Sequence, residues 1–203
     1  MKPARLKKNI FKILCCCLLL LPMLPVTAQE NSRSKILPDH IKVQYAGNIG
    51  YLSVGAGYTS KKEKLTEDLY YGYVPKSKGG LATHSLTAKL TWSPFMILKG
   101  HSVHVKPFSI GVLVNYAFGK QYFSFSPDKY PFDYYKFPTS FHIGIFEGGE
   151  AFIPLNRVKG FREIGLYYEL VTIDRELISY VNNDRALDLD DVFHLGLGIR
   201  AAF

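Results

Sequence analysis

Cysteine is confined to three adjacent positions, Cys15, Cys16 and Cys17. All three lie in the first 28 residues, so the rest of the chain offers no disulfide, no thiolate nucleophile and no cysteine metal site. Long apolar runs are just as scarce. The single one, Ile13 to Leu24, follows Lys2, Arg5, Lys7, Lys8 and Lys12 and gives way to small residues at Val26 and Ala28. That is the order of a cleaved secretory signal over residues 1–28, with cleavage expected at Ala28-Gln29. The run is short for a membrane span and no second one follows, which argues against an inner-membrane anchor. A lipidated cysteine would end a signal after small residues, whereas these begin the apolar run behind Leu14, so lipidation is not expected. Excess charge is missing too once the leader is set aside. Five of the 25 basic residues go with it and no acid does, leaving 20 against 17, and the formal charge falls from +8 to +3. The remaining charges are mixed in sign and gathered between strand-like runs, so no basic stripe invites a nucleic acid.

Tyrosine, phenylalanine and glycine are abundant, at fourteen, fourteen and seventeen residues. With roughly 175 residues past the leader, this composition suits one all-β domain with aromatic girdles and tight inward positions. The most regular stretch closes the chain: Phe193, Leu195, Leu197, Ile199, Ala201 and Phe203 alternate with His194, Gly196, Gly198 and Arg200. A strand with one wholly apolar face and a terminal aromatic resembles the closing strand of bacterial outer-membrane β-barrels. The resemblance concerns architecture and implies no activity. It does imply recognition of the C-terminal strand by the barrel assembly machinery.

The same two-residue period recurs in earlier runs. In Thr83–Trp92 the outward set is His84, Leu86, Ala88, Leu90 and Trp92, with Ser85, Thr87 and Lys89 inward; in Phe108–Phe118 it is Phe108, Ile110, Val112, Val114, Tyr116 and Phe118. Phe141, Ile143 and Ile145, and then Ile164, Leu166, Tyr168 and Leu170, follow suit. Over Val43–Tyr58 the apolar set moves from odd to even positions, which predicts a β-bulge near Tyr51-Leu52. Glu147 falls on the outward side of its run, a costly place for a carboxylate beside lipid, so a bulge at Phe146-Glu147 is expected to turn it inward. Long connections at 59–82, 119–140 and 173–191 alternate with short ones at 93–107 and 153–160. This parity predicts a transmembrane antiparallel up-and-down barrel over residues 42–203, with three long extracellular loops and a periplasmic lead-in over residues 29–41. Six strands are plainly legible and eight are expected, the extra pair lying in 64–73, 95–105 or 122–137.

The inner faces supply a candidate polar network of Gln44, Asn48, Lys89, Asn115, His142, Glu163, Glu169, His194 and Arg200. In so narrow a barrel these side chains should form a plug, Lys89 and Arg200 offsetting Glu163 and Glu169, which disfavours a conducting pore. Tyr58, Trp92, Phe118 and Phe203 are expected at the membrane interfaces. Catalytic candidates are thin. His84 and Ser85, with Glu147 or Glu169 as the acid, are the residue types of outer-membrane enzymes that trim or transfer lipid A acyl chains, but neighbours on a strand point to opposite faces. His101 and His104 have a spacing seen in metal sites and lack a third ligand, and the acidic stretch Asp184–Asp191 lacks the glycine and terminal glutamate of a calcium loop. No metal and no cofactor is expected.

The lysines and tyrosines of the first long loop (Lys61, Lys62, Lys64, Lys76, Lys78, Tyr70, Tyr71, Tyr73) suit phosphorylated lipid headgroups or glycans. The aromatic 122–137 segment should pack on that loop, plug the mouth or bind a partner. The expectation is therefore a non-enzymatic barrel in the outer membrane, in contact with its lipids and lipopolysaccharide, with loops that bind a protein or glycan, serve envelope integrity or belong to an accessory subunit. The alternatives are a lipid A-modifying acyl hydrolase or acyltransferase using His84, and a soluble periplasmic lipocalin-like barrel with the apolar set inside.

Overall fold

The computed structural model describes residues 37–60, 62–99, 103–119, 121–122, 139–155, 160–182 and 188–203. The leader therefore lies outside the described residues, as do His101, Asp184 and most of the aromatic 122–137 segment. Nine strands follow in chain order: β1 His40–Ala46, β2 Leu52–Thr59, β3 Leu65–Val74, β4 Thr83–Trp92, β5 Ile97–Lys99, β6 Val103–Phe118, β7 Phe141–Pro154, β8 Glu163–Ile173 and β9 His194–Ala202. Among the described residues, three short helices lie in connections: α1 Lys76–Gly79, α2 Asp174–Asn182 and α3 Leu189–Val192.

Every pairing is antiparallel. β1 pairs with both β2 and β9, and β4 pairs with β6, so eight strands close into an up-and-down barrel with β5 as a short flap on the start of β6. Closure removes the exposed sheet edges on which such a sheet would otherwise aggregate. Phe203 N–H donates to Asp39 C=O at 2.9 Å and Arg162 N–H to Ala202 C=O at 2.7 Å, which ties both ends of the barrel domain into one rim.

Two expectations about the strands are corrected. The parity change in 43–58 is not a bulge: β1 and β2 are separate strands joined by a turn over residues 47–51. Ala46, Gly47 and Asn48 all take positive φ, near 60°, 74° and 60°, a conformation that glycine and asparagine tolerate best. The stretch 59–82 is not one long loop either. It contains β3, whose Leu65, Glu67, Leu69, Tyr71 and Tyr73 face out while Thr66, Asp68 and Tyr70 face in. β1/β2 separation and β3 supply the two strands that bring six to eight.

Nor is there a bulge at Phe146-Glu147. The register instead slips in β6, where Lys106 pairs with Glu150 and Ser109 with Gly148, so Pro107 and Phe108 together oppose Gly149. β7 keeps its alternation from Ile143 to Gly148, and Glu147 stays on the outer face.

The inner face is filled by a size-matched arrangement. Five inward glycines each stand directly across from a bulky inward residue: Gly55 from Tyr70, Gly111 from Phe146, Gly144 from Leu113, Gly165 from Phe152 and Gly198 from Tyr167. A Cβ on Gly198 would lie 2.2 Å from the Tyr167 ring and one on Gly111 2.3 Å from the Phe146 ring. An eight-stranded barrel is just wide enough to be packed by its own side chains, and alternating nothing with an aromatic ring is how this one does it.

Candidate functional site

Three connected clusters occupy the lumen. Near the rim where β1 begins and β9 ends, His40 Nε2 and Asp68 Oδ1 share a hydrogen bond at 2.6 Å while Lys42 Nζ donates to Asp68 Oδ2 at 2.7 Å, all three side chains being buried. Gly57 makes room for them, since a Cβ there would lie 2.4 Å from Asp68 Oδ1. In the second cluster Lys89 donates to the Glu169 carboxylate and, at 3.0 Å, to Gln44 Oε1. The Tyr167 hydroxyl donates to the same Gln44 oxygen at 3.2 Å and lies 3.1 Å from the Tyr70 hydroxyl. The Lys89 ammonium also sits over the Tyr70 and Phe146 rings at 4.8 and 5.1 Å. The third cluster joins Arg200 to Glu150 at 3.1 Å, with Lys106 Nζ 5.4 Å from the centre of the Phe152 ring.

The far end of the barrel is covered by α2. His142 Nδ1 lies 3.0 Å from Asp174 Oδ1, and Asn48 Nδ2 donates to Glu176 Oε2 at 2.7 Å, so the helix is fastened to two walls of the mouth. His194 Nε2 sits 3.2 Å from Glu176 Oε1, within ion-pair reach but off the line of a hydrogen bond. Burial pushes the Asp174 carboxyl up, yet the His142 contact and the Arg175 N–H outweigh it and hold the group below its ordinary range. Beneath the helix, Ile49, Tyr70, Leu113, Phe146, Val171 and Ile173 form an apolar plug.

Comparison with protein-family models, with curated proteins and with solved structures finds no match. Function rests on the geometry alone.

The residues singled out in the sequence are distributed as follows. Lys89, Glu169 and Gln44 meet in one cluster, and Asn115 donates to Thr87 Oγ1 at 2.6 Å beside it. Arg200 takes Glu150 rather than Glu163, which stands half-buried at the rim beside Ala202. Asn48, His142 and His194 belong to the mouth, not to the lumen network. Tyr58 and Trp92 face out at the end of the barrel where β1 begins and β9 ends, and Phe118 faces out at the other. Phe203 packs on Phe161 at 5.2 Å.

His84 and Ser85 do not meet. Ser85 points inward and donates to Ile49 C=O at 2.7 Å, while His84 points outward, where Nδ1 lies 2.6 Å from the Tyr71 hydroxyl and the ring packs on Tyr73. Glu147 is two strands away around the barrel and Glu169 is inside it. The arrangement thus assembles no Ser-His-acid relay. Among the described residues no cluster of three metal-ligating side chains exists, and His104 instead packs edge-on against Phe152 at 5.2 Å. Asp188 and Asp191, at the end of the acidic stretch, cap α3 reciprocally.

Sequence reasoning missed His40, Lys42, Asp68, Tyr70, Lys106, Glu150 and Tyr167. Asp68 and Tyr70 were hidden by reading β3 as loop, although Thr66, Asp68, Tyr70 and Gly72 already alternate there. Glu150 and Lys106 flank the β6 bulge, whose position has no local signal beyond Pro107.

Proposed function

We propose that this chain is a non-enzymatic, non-conducting outer-membrane β-barrel whose capped end faces the outside of the cell. There its connections serve surface binding, envelope integrity or an accessory role in a larger complex. One observation carries this reading. The outward positions of all eight barrel strands form a belt dominated by Leu, Ile, Val and aromatic side chains, interrupted at Glu67, His84 and Glu147, while the ion pairs of the barrel point inward. Strands of about ten residues, tilted as such barrels require, span roughly 25 Å, the height of the apolar band in outer-membrane barrels. Tyr45, Tyr71, Tyr73, Tyr116 and Phe118 edge the belt at the capped end and Tyr58, Trp92 and Phe161 at the other, as aromatic girdles do. A soluble lipocalin-like barrel has the reverse polarity, since water outside favours polar outward residues and a ligand cavity needs an apolar interior.

The packed interior supports a role without transport. Tyr70, Phe152, Leu113 and Val171 are fully buried across it, and the charged groups there are held in pairs. The work therefore falls to the two ends and the outer wall. Membrane fractionation with electrophoresis of unheated and boiled samples tests the placement, because a closed barrel keeps its fold in detergent and changes mobility on boiling. An outer-membrane band that shifts is the expected result. A protein released unshifted into the aqueous fraction after osmotic shock would overturn the proposal. In planar bilayers the protein should give no discrete current steps, and regular steps would overturn the non-conducting part.

A further inference from the structure

Glu147 is the one barrel position at which the belt is broken halfway up. It lies six residues from Phe141 at one end of β7 and six from Ile153 near the other, with Ile110 and Leu170 directly across on the neighbouring strands. Its side chain faces out, and among the described residues no hydrogen bond or ion pair reaches its carboxylate. The other outward carboxylate, Glu67, is only two residues from the start of β3, next to Tyr58, where headgroups and water are near. Glu147 has no such escape: mid-belt is where a charge facing lipid costs most, and a glutamate is too short to reach either interface.

A second, separate feature adjoins it. Just below Glu147 the outward positions of β7 are Gly149, buried against the Tyr168 ring, and Ala151, and the β6 bulge sets Pro107 and Phe108 opposite Gly149. A notch of about 320 Å³ opens there in the wall, its outer edge made by Pro107, Leu166, Tyr168 and Leu197. Elsewhere small outward residues such as Ala56 and Ala88 stand singly between bulky neighbours. A lipid-facing wall that carries a carboxylate above an apolar recess is shaped to receive a protein segment: an apolar side chain fills the recess, and a polar group in the apolar layer finds its partner on that segment.

We infer that the β6–β9 wall is the docking face for a different membrane-embedded protein, one whose lipid-facing segment places a lysine or arginine against Glu147 and an apolar side chain in the notch. The inference rests on the membrane placement proposed above and assigns the accessory role to this wall. Charge complementarity selects the occupant. A second copy of this chain does not supply the cation, because none of the outward positions of the eight barrel strands is Lys or Arg. A lipid amine does not either, since headgroups stay at the belt's edges.

The test places a photoreactive benzophenone amino acid at Leu166 or Ile145 of the full chain in its native membrane, with Val54 on the opposite wall as control. Wild type should yield one adduct with another protein from the β7–β8 positions and none from Val54. In Glu147→Gln the adduct should fall at least about tenfold, the loss of one desolvated charge pair. A reciprocal exchange, Glu147→Lys with the partner's basic residue changed to Glu, should restore it. Adducts with a second copy, with lipid alone, or with a protein regardless of residue 147 would each overturn the inference. Heat-modifiable mobility of each variant shows that the barrel is folded and in place. Loss of that mobility in wild type would count against the membrane placement, whereas a shifting band without the Glu147-dependent adduct counts only against the docking face.

Discussion

Replacing Lys89 by Met should be the most damaging single change in the lumen. The ammonium is fully enclosed and, among the described residues, is the only cation paired with the Glu169 carboxylate, whose side chain is 7% exposed. Methionine matches the length of the stem but leaves that carboxylate buried and uncompensated, removes a donor from Gln44 Oε1 and empties the site over the Tyr70 and Phe146 rings. Breaking one side of a buried pair costs about 3–5 kcal/mol. Changing Glu169 to Leu alone should cost a similar amount for the mirror-image reason. Changing both removes the pair and its desolvation penalty together, so the double variant should lose only about 1–2 kcal/mol. The predicted coupling is therefore several kcal/mol, large for neighbours in contact. Urea unfolding from lipid vesicles measures it, with fluorescence of Trp92, the single tryptophan of the chain, as the probe. If Lys89→Met costs less than about 1 kcal/mol, or the double variant costs the sum of the singles, the ion pair does not organise the lumen and the reasoning fails.

Gly198→Ala should destabilise by about 1–3 kcal/mol, because its Cβ would fall within 2.2 Å of the Tyr167 ring; shortening Tyr167 to Leu in the same chain should recover part of that loss in the same unfolding assay, and no recovery would mean that the ring is not the obstacle. Glu147→Leu should raise the stability of the isolated barrel in lipid by about 1–2 kcal/mol while abolishing the cross-link described above, a trade of function for stability; an unchanged or lower unfolding midpoint would show that the carboxylate is not exposed to lipid. The α2 cap should loosen in acid. A carboxyl held below its ordinary value in the fold stabilises fully above that ordinary value and loses its contribution as pH falls through the lower folded value, so the hydrogen-exchange protection that Asp174 gives α2 should persist at neutral pH, start to fall below about pH 3.8 and be gone once the folded carboxyl is protonated. Asp174 is partly exposed, which limits the effect to less than about 1 kcal/mol; Asp174→Asn should show lower protection at neutral pH and no further loss in that acid range, and equal protection in both proteins would refute the contact.

Much of the wall was legible because a strand's side chains alternate whatever surrounds them. Ser85, Thr87 and Lys89 could be assigned inward and Leu86, Leu90 and Trp92 outward from period two alone, and the same holds for Leu195, Leu197 and Ile199 against Arg200. The first strand run shows where this reasoning ends. A change of parity arises equally from one extra residue in a strand or from a five-residue turn between two strands, and alternation cannot tell them apart. The Ala46-Gly47-Asn48 sequence was the sign of a turn, since asparagine and glycine are the residues that tolerate positive φ. β3 was obscured by its own tyrosines and by Glu67, which read as loop chemistry until the neighbours on β2 and β4 made them a face of the barrel.

By itself, then, the sequence determined the class of fold and which side of most strands each residue occupies, because both follow from local period. Only the tertiary structure decided that β1 meets β9, that Arg200 finds Glu150 instead of Glu163, that Ser85 donates to Ile49 C=O, and that glycines face rings across the lumen. Those outcomes depend on register and closure, which are properties of pairs of strands distant in the chain. Glu147 belongs to the same group: its alternation pointed outward from the start, and the bulge that would have hidden it formed on β6 instead, where Pro107 and Phe108 oppose a single Gly149.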